Sequence, residues 1–207
     1  MSSPTRVRAL LRTVTLAVVV SFVACSGLSS GGGSPYGAGD PALAAVGTGE
    51  STIDPFLTNG TAVLRALDAI SAKSGKPLRL ISMNADQMNG LTVHVQEPKA
   101  HVNVDEYVVG LDGTLTGPKP VQLMSENGKQ VTAPEVDAQA FDPKAVGFGR
   151  LAQTARQAIA KSNFPDARVT QWEFDGPNGR CFMYLQASRG RPAAVLGPHL
   201  GIESMSF

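Results

Sequence analysis

The feature that most constrains the folded part of this 207-residue chain is an uncharged, largely apolar stretch that ends at a cysteine. The stretch covers residues 13–24, and Arg6, Arg8 and Arg12 precede it without any acidic residue. At about a dozen residues it has the length of the apolar core of an export signal, and it is shorter than the roughly 20 residues that span hydrocarbon. Removal of the signal before Cys25 leaves about 180 residues with one further cysteine, so the folded part must depend on a hydrophobic core rather than on disulfides.

The residues around Cys25 resemble a bacterial lipoprotein signal. Ala24 is a small residue directly before the cysteine, and a Gly/Ser-rich segment follows it. The resemblance implies that Cys25 is acylated, with palmitate as a typical acyl group, and that two acyl chains hold the protein on a bacterial membrane, in the cell envelope outside the cytoplasm. Phe22 departs from the pattern, because lipoproteins usually carry Leu three residues before the cysteine. Cleavage after a small residue such as Ser26 with release of a soluble protein, and an uncleaved membrane helix, stay open as alternatives.

The charge and composition of the mature part exclude one class of partner and predict a linker. Loss of residues 1–24 removes three arginines and no acid, so the formal charge changes from +1 to −2. A nearly neutral chain offers no electrostatic basis for nucleic-acid binding. Residues 26–50 are rich in Gly, Ser, Ala and Pro, so we expect residues 25–50 to be the lipidated cysteine and a flexible tether with a reach of ~25–30 Å.

Two segments of 22 residues predict an internal repeat. They begin at Asp54 and Asp142, 88 positions apart, and each has Asp-Pro, then a helical stretch, then Ala-Lys-Ser. Thr61 offers a helix cap in the first segment, while Gly75 and Asn163 are the expected helix stops. The shared Asp-Pro at the start and Ala-Lys-Ser at the end of the two segments favour a duplication. The two predicted copies are residues 51–137 and 138–207.

Two runs of alternating apolar and polar residues predict a β-hairpin. They span residues 91–97 and 100–106, with a two-residue loop at 98–99. This register places Val95 opposite Val102 and puts every valine of the hairpin on one buried face.

Further strands complete an α+β fold, in which two tandem copies of one helix pack on a short antiparallel sheet. Pro118 and Pro120 predict that their strand lies at a sheet edge. The order of one helix before a short antiparallel sheet, in tandem, resembles the PepSY and beta-lactamase-inhibitor-like architectures, with Tyr107–Gly113 as the local similarity. The second copy lacks that stretch. The other predicted strands are residues 78–83, 107–113, 114–123, 167–174, 180–186, 193–196 and 199–205.

The residues capable of chemistry do not form a recognisable catalytic or metal motif. His94 and His101 lie on the polar face of the predicted hairpin, but a metal site needs three or four converging ligands, so we predict no metal, cofactor or catalytic residues. His199 is interpreted as a turn residue. Cys181 is interpreted as a small buried hydrophobe, with a bridge to Cys25 as the alternative if Cys25 is not acylated.

The aromatic and basic residues of the second copy are the best candidates for a partner surface. Apolar residues occupy both faces of their hairpin, and one face is needed to cover the helix at 148–162. The other face either packs on the first copy or is exposed to a partner. The candidate residues are Trp172, Phe174, Tyr184, Arg180, Arg189 and Arg191.

These observations favour a membrane-anchored envelope lipoprotein that acts as a non-catalytic protein-binding or inhibitory module on another envelope or extracellular protein. The alternative is a carrier or sensor of a small apolar or lipid ligand that binds between helices and sheet. A hydrolase whose site assembles from residues distant in sequence is a third hypothesis. An exposed aromatic patch favours the first, a cavity the second, and a buried acid–base pair in a cleft the third.

Overall fold

The computed structural model describes residues 55–124, 128–176 and 180–207, which form three α-helices and one eight-stranded antiparallel sheet. The helices are α1 (Gly60–Ser74), α2 (Ala133–Gln139) and α3 (Leu151–Lys161), and two 3₁₀ turns at Pro143–Ala145 and Phe148–Arg150 precede α3. The strands are β1 (Leu80–Asp86), β2 (Gly90–Gln96), β3 (Val104–Val109), β4 (Leu115–Val121), β5 (Arg168–Asp175), β6 (Arg180–Gln186), β7 (Ala193–Leu196) and β8 (Ile202–Ser206).

The strand order is β4-β3-β2-β1-β5-β6-β7-β8, so the predicted α+β class is confirmed. The expectation that each copy builds its own short sheet is wrong, because β1 and β5 pair antiparallel and join the two halves into one sheet. Ala85 lies opposite Trp172 at this central pair. Pro118 and Pro120 lie on β4, which is an edge strand as their presence predicts.

Helix α1 begins two residues earlier than a cap at Thr61 predicts. Its cap is Asn59, whose side-chain oxygen accepts hydrogen bonds from the backbone N–H groups of Thr61 and Ala62, each at 3.1 Å. Asn59 is therefore the N-cap rather than Thr61, because its short amide reaches the free donors of the first turn. The predicted stops are confirmed as positive-φ residues, with φ of 97° at Gly75 and 60° at Asn163.

The β2–β3 hairpin is confirmed, but its predicted register is wrong by three residues. Gln96 lies opposite Val104, and Val93 lies opposite Tyr107. The loop is longer than two residues because a turn forms within it, where the N–H of Asn103 donates to the carbonyl of Ala100 at 2.7 Å. An odd shift exchanges the faces of β3, so Tyr107 enters the core and Val104 faces the opposite side of the sheet.

The helices α1 and α3 cover one face of the sheet and enclose the main hydrophobic cluster. Trp172 is fully buried in it, and its indole N–H donates to the carbonyl of Phe56 at 3.0 Å. Helix α2, which no sequence pattern predicted, covers a smaller cluster on the opposite face. The buried residues of that second cluster are Ile81, Val104, Leu123, Val131 and Val136. None of the helices in the described residues combines the length and apolar composition needed to cross a membrane.

The first residue of α1 packs directly on the backbone that leads into α3. A Cβ placed on Gly60 would lie 1.8 Å from the carbonyl oxygen of Phe148, far inside van der Waals contact. A Cβ placed on Gly149 would meet no atom within 4 Å. The close approach of the two halves at this point therefore requires glycine at position 60 and not at position 149.

This difference predicts opposite outcomes for the same substitution. We expect Gly60→Ala to lower the free energy of unfolding by about 3 kcal/mol, because the backbone at Phe148 must move to admit the methyl group. Gly149→Ala should change it by less than about 0.5 kcal/mol. Chemical denaturation of both variants, followed by circular dichroism, measures the effect, and equal stability of the two would contradict the packing described here.

Candidate interaction surface on the open sheet face

Among the described residues, the side of the sheet that points away from α1 and α3 is covered by α2 and by Leu123 and Val131 of the segment before α2. We call its uncovered part the open face. Successive residues of a strand point to opposite faces, so alternate side chains of each strand lie on the open face. The open-face side chains are partly or fully exposed, in contrast to their neighbours in the core. The open face includes Ser82, Asn84, Thr92, His94, Glu106, Val108, Lys119, Glu173, Phe182, Tyr184, Val195 and Ser204.

A polar row crosses four adjacent strands of the open face. Ser82, His94, Glu106 and Lys119 are direct cross-strand neighbours on β1, β2, β3 and β4. Ser82 Oγ lies 2.8 Å from His94 Nδ1, and His94 Nε2 lies 3.4 Å from Glu106 Oε2. Lys119 Nζ extends the row at 3.6 Å from Glu106 Oε1. The side chains of His94 and Glu106 are only 12% and 22% exposed, so the row is fixed by its neighbours.

A serine beside a histidine that contacts a carboxylate is the residue set of a base-activated nucleophile. Such catalysis also needs backbone or side-chain N–H donors aimed at the developing oxyanion. Ser82 lies within β1, which pairs with β2 on one side and β5 on the other, so ladder pairing engages the nearby backbone. We therefore interpret the row as a structural polar network rather than as a nucleophile. The described residues also contain no group of three or more His, Cys, Asp or Glu placed to hold a metal ion.

A second polar contact lies on the other half of the open face. Tyr184 Oη donates a hydrogen bond to Glu173 Oε1 across β5 and β6. Burial, and then the hydrogen bond to Glu173, raise the pKa of Tyr184 above its usual range, so the phenol stays protonated. Phe182 lies beside this pair, opposite Glu173 on one side and Val195 on the other.

The residues predicted to form a partner surface do not lie together, because the sheet places some in the core and others at the surface. Trp172 and Phe174 are 0% and 2% exposed and face the helices, so they cannot contact a partner of the folded protein. The reason is the alternation of β5, which directs Glu173 to the open face and both aromatic rings into the core. Tyr184 does lie on the open face. Arg189 and Arg191 are exposed in the β6–β7 connection, whereas the Arg180 side chain and Cys25 lie outside what the structure describes.

The alternation of inward- and outward-pointing residues along β1, β3 and β4 is the sequence signal from which the other open-face residues could have been predicted. Ser82, Glu106 and Lys119 were not singled out from the sequence, because each is unremarkable until its cross-strand neighbour is known. The polar row depends on the true β2–β3 register, in which His94 lies opposite Glu106 rather than opposite Asn103.

His101 is separate from His94 and belongs to a contact that holds α2 on the sheet. Its Nδ1 lies 2.9 Å from Asp137 Oδ1. The same oxygen accepts a hydrogen bond from Gln96 Nε2 at 2.8 Å, and Arg79 Nη1 lies 3.8 Å away. The hydrogen bond from Gln96, followed by the interactions with His101 and Arg79, lowers the pKa of Asp137. The third histidine, His199, is exposed in its turn, with Nδ1 3.1 Å from the carbonyl of Ala145.

Cys181 has the properties of a core residue. It is 1% exposed and forms no disulfide in the described part of the chain. Burial, and then the negative charges of Glu173 and Asp175, raise the pKa of Cys181 to about 12. The thiolate is the reactive form of cysteine, so this thiol is unreactive at neutral pH.

Two surface cavities lie at the ends of strands, and neither lies between the helices and the sheet. One of about 300 Å³ is lined by the β2–β3 loop and by β3 and β4, and includes Glu97 and Asp105. Burial, and then the charge of Glu97, raise the pKa of Asp105. The other cavity, of about 290 Å³, is lined by residues such as Asp166 and Gln186.

The contact around Asp137 predicts a dependence of stability on pH. The folded pKa of Asp137 lies below the roughly 3.9 of an unfolded aspartate, so its ionised form stabilises the protein above that value. This contribution is lost as the pH falls through the folded pKa. It is modest because the side chain is 39% exposed and solvent screens it.

We expect Asp137→Asn to reduce the fall in the free energy of unfolding between neutral pH and about pH 3. Asp68→Asn, on the exposed side of α1, is the matched control and should keep the wild-type profile. Urea denaturation of the three proteins across this range measures the difference. A profile of Asp137→Asn that overlays the wild type would show that the contact is not maintained in solution.

No protein-family model matches the chain, and no curated protein matches it significantly. Among solved structures, the chain is similar to the crystal structure of a protein described as a "putative lipoprotein" from Clostridium difficile 630. The two share 12% sequence identity over 70% of this chain and 91% of that chain, with a TM-score of 0.49. A likeness of this size does not transfer a function or a membrane anchor to this chain.

Proposed function

We propose that this chain is an extracytoplasmic lipoprotein, anchored through Cys25, whose folded part binds another envelope or extracellular protein through the open face. The observation that carries the binding proposal is the one-sided burial of the eight-stranded sheet. In the described residues, α1 and α3 cover one face, while the opposite face is covered only where α2 and the segment before it lie.

The size of the open face suits a protein partner. Eight strands at about 4.8 Å spacing form a sheet ~34 Å wide, and the central strands of seven or eight residues are ~23 Å long. The whole sheet face, of which the open face is the uncovered part, is therefore close to the roughly 800 Å² that each partner contributes to a stable interface. Its composition also fits, because Phe182 and Tyr184 lie among polar groups that can pair with a partner.

The alternative, a carrier of a small apolar ligand between helices and sheet, has less support. The large side chains in that layer are buried and pack against one another, with Trp172, Phe148 and Leu151 at most 1% exposed. Ligand pockets are concave and mostly apolar, and the two cavities described above lie at strand ends rather than between the helices and the sheet. A ligand between the layers would have to displace packed core side chains.

The proposed duplication is supported by the symmetry of the topology. Each half has one helix followed by a four-stranded meander, and the halves pair through β1 and β5, the first strand of each. Two copies related by a twofold axis would give this order. We infer that the open face has two related halves, with the Ser82–His94–Glu106–Lys119 row on one and the Glu173–Tyr184 pair on the other.

The anchor is tested by removing the thiol that carries it. We expect Cys25→Ser to move the protein from the membrane fraction to the soluble fraction of its host, because two acyl chains hold a protein stably and none remain. Ser30→Ala, in the same segment, is the control and should stay with the membrane. Immunoblotting of separated fractions measures both, and membrane retention of Cys25→Ser would contradict lipid anchoring.

The binding face is tested by site-specific photo-crosslinking in the host. A photoreactive residue is placed at Asn84 or Thr92 on the open face, and at Arg156 or Gln157 on the exposed side of α3 as matched controls. We expect discrete crosslinked species from the open-face positions and none from the α3 positions. Equal crosslinking from both sides, or none from the open face, would argue against a partner there.

A further inference from the structure

The three most exposed large apolar side chains in the described part of the chain lie at one end of the sheet. Met88, Phe207 and Leu111 are 78%, 73% and 41% exposed. Met88 lies in the β1–β2 turn, Leu111 in the β3–β4 turn, and Phe207 directly after β8. Single exposed apolar side chains are common on protein surfaces, but a group of them at one end marks a surface that contacts something apolar.

The antiparallel pairing of all eight strands places these positions together. Because neighbouring strands alternate in direction, the ends of β1, β3, β6 and β8 meet the start of β5 at the same end of the sheet. The two apolar turns are direct neighbours, since a Cβ placed on Gly90 would lie 3.1 Å from the carbonyl carbon of Gly110. We call this end of the sheet the turn end, and it comprises residues 86–90, 110–114, 168, 187–192 and 206–207.

Side-chain hydrogen bonds fix both apolar turns. Asp86 Oδ1 accepts a hydrogen bond from the backbone N–H of Met88 at 2.8 Å. Asp112 Oδ1 accepts one from the backbone N–H of Thr114 at 2.9 Å. Each carboxylate is therefore held close to the backbone of its own turn. The side chains of Met88 and Leu111 remain outside the core in these fixed turns.

Three arginines lie between the apolar positions of the turn end. Arg168 is the first residue of β5, and Arg189 and Arg191 lie in the β6–β7 connection, so all three are between Met88 and Phe207 in the strand order. All three are exposed. Asp166 is nearby, but its Oδ2 accepts a hydrogen bond from the backbone N–H at residue 188 at 2.7 Å. The longer arginine side chains can extend beyond such a carboxylate.

The segment that follows Cys25 leads towards the turn end. The described part of the chain begins at residue 55, and the carbonyl of Phe56 accepts the indole N–H of Trp172. Trp172 lies opposite Ala85, one residue before β1 ends. Cys25 lies 30 positions before residue 55, and a Gly/Ser-rich segment of that length spans ~30 Å on average. An anchor at Cys25 therefore allows the turn end to reach the membrane.

We propose that the turn end lies on the phospholipid bilayer to which Cys25 anchors the chain. The apolar side chains then enter the boundary between head groups and acyl chains, and the arginines contact anionic phosphate groups. This contact depends on the membrane anchor of the proposed function but not on a protein partner. Because the strands run away from the membrane in this orientation, the open face stays accessible from the side.

The spacing of the apolar side chains favours a bilayer over a single protein partner. Met88 and Leu111 lie on neighbouring turns, whereas Phe207 follows a strand four positions beyond β1, at ~20 Å for a spacing of about 4.8 Å. A bilayer offers the same apolar depth along the whole turn end, so separated side chains enter it together. A protein partner would need two matching pockets at that separation.

Photo-crosslinking to lipid in the host tests this contact. A photoreactive residue replaces Met88 or Phe207, and Val102 is the control, because it is 39% exposed in the β2–β3 loop at the opposite end of the sheet. Mass spectrometry of the protein from the membrane fraction measures phospholipid adducts. We expect the yield at 88 and 207 to exceed that at 102 by about tenfold, which corresponds to about 1.4 kcal/mol of preference for the bilayer.

The outcomes separate this contact from the anchor. Protein that remains in the membrane fraction but gives equal adduct yields at both ends, or none, would overturn the contact and leave the anchor in place. Wild-type protein in the soluble fraction would overturn both.

A charge at the turn end provides a second test. Met88→Asp should lower the lipid adduct yield of a photoreactive residue at position 207 about tenfold, because an apolar side chain is replaced by one that the bilayer boundary disfavours. Val102→Asp is the matched control and should leave that yield unchanged. Both side chains are exposed, so circular dichroism should show wild-type folding. A yield at 207 that Met88→Asp leaves unchanged would overturn the proposed orientation.

Discussion

The pairing of β1 with β5 is the interaction on which the rest of this structure depends. It places Met83 opposite Phe174 and Ala85 opposite Trp172, so the centre of the sheet carries its largest aromatic side chains towards the helices. Without this pair each half would be a four-stranded meander with one helix and an exposed central edge. With it, the two helices share one core, and Phe148, at the entry to α3, packs on Trp172 with ring centroids 5.9 Å apart.

A single sheet with helices on one face also determines where polar residues can lie. The face towards α1 and α3 is apolar throughout β1, β2, β5 and β6, and the open face is free to carry polar chemistry. The polar row from Ser82 to Lys119 crosses four strands without entering the core. Buried polar groups are costly unless they are paired, and this row satisfies its members while leaving them reachable from solvent.

The sequence was informative where a local signal determines a local structure. The helix stops at Gly75 and Asn163, the proline-marked edge strand and the bounds of β6 and β7 follow from residues whose backbone preferences are strong. The β2–β3 register was not accessible in this way, because the alternating valines allow more than one pairing and the burial of Tyr107 selects between them. Trp172 lies opposite Ala85 of β1, which is 87 residues earlier in the chain. The orientation of the Trp172 side chain therefore depends on a pairing that no local signal predicts.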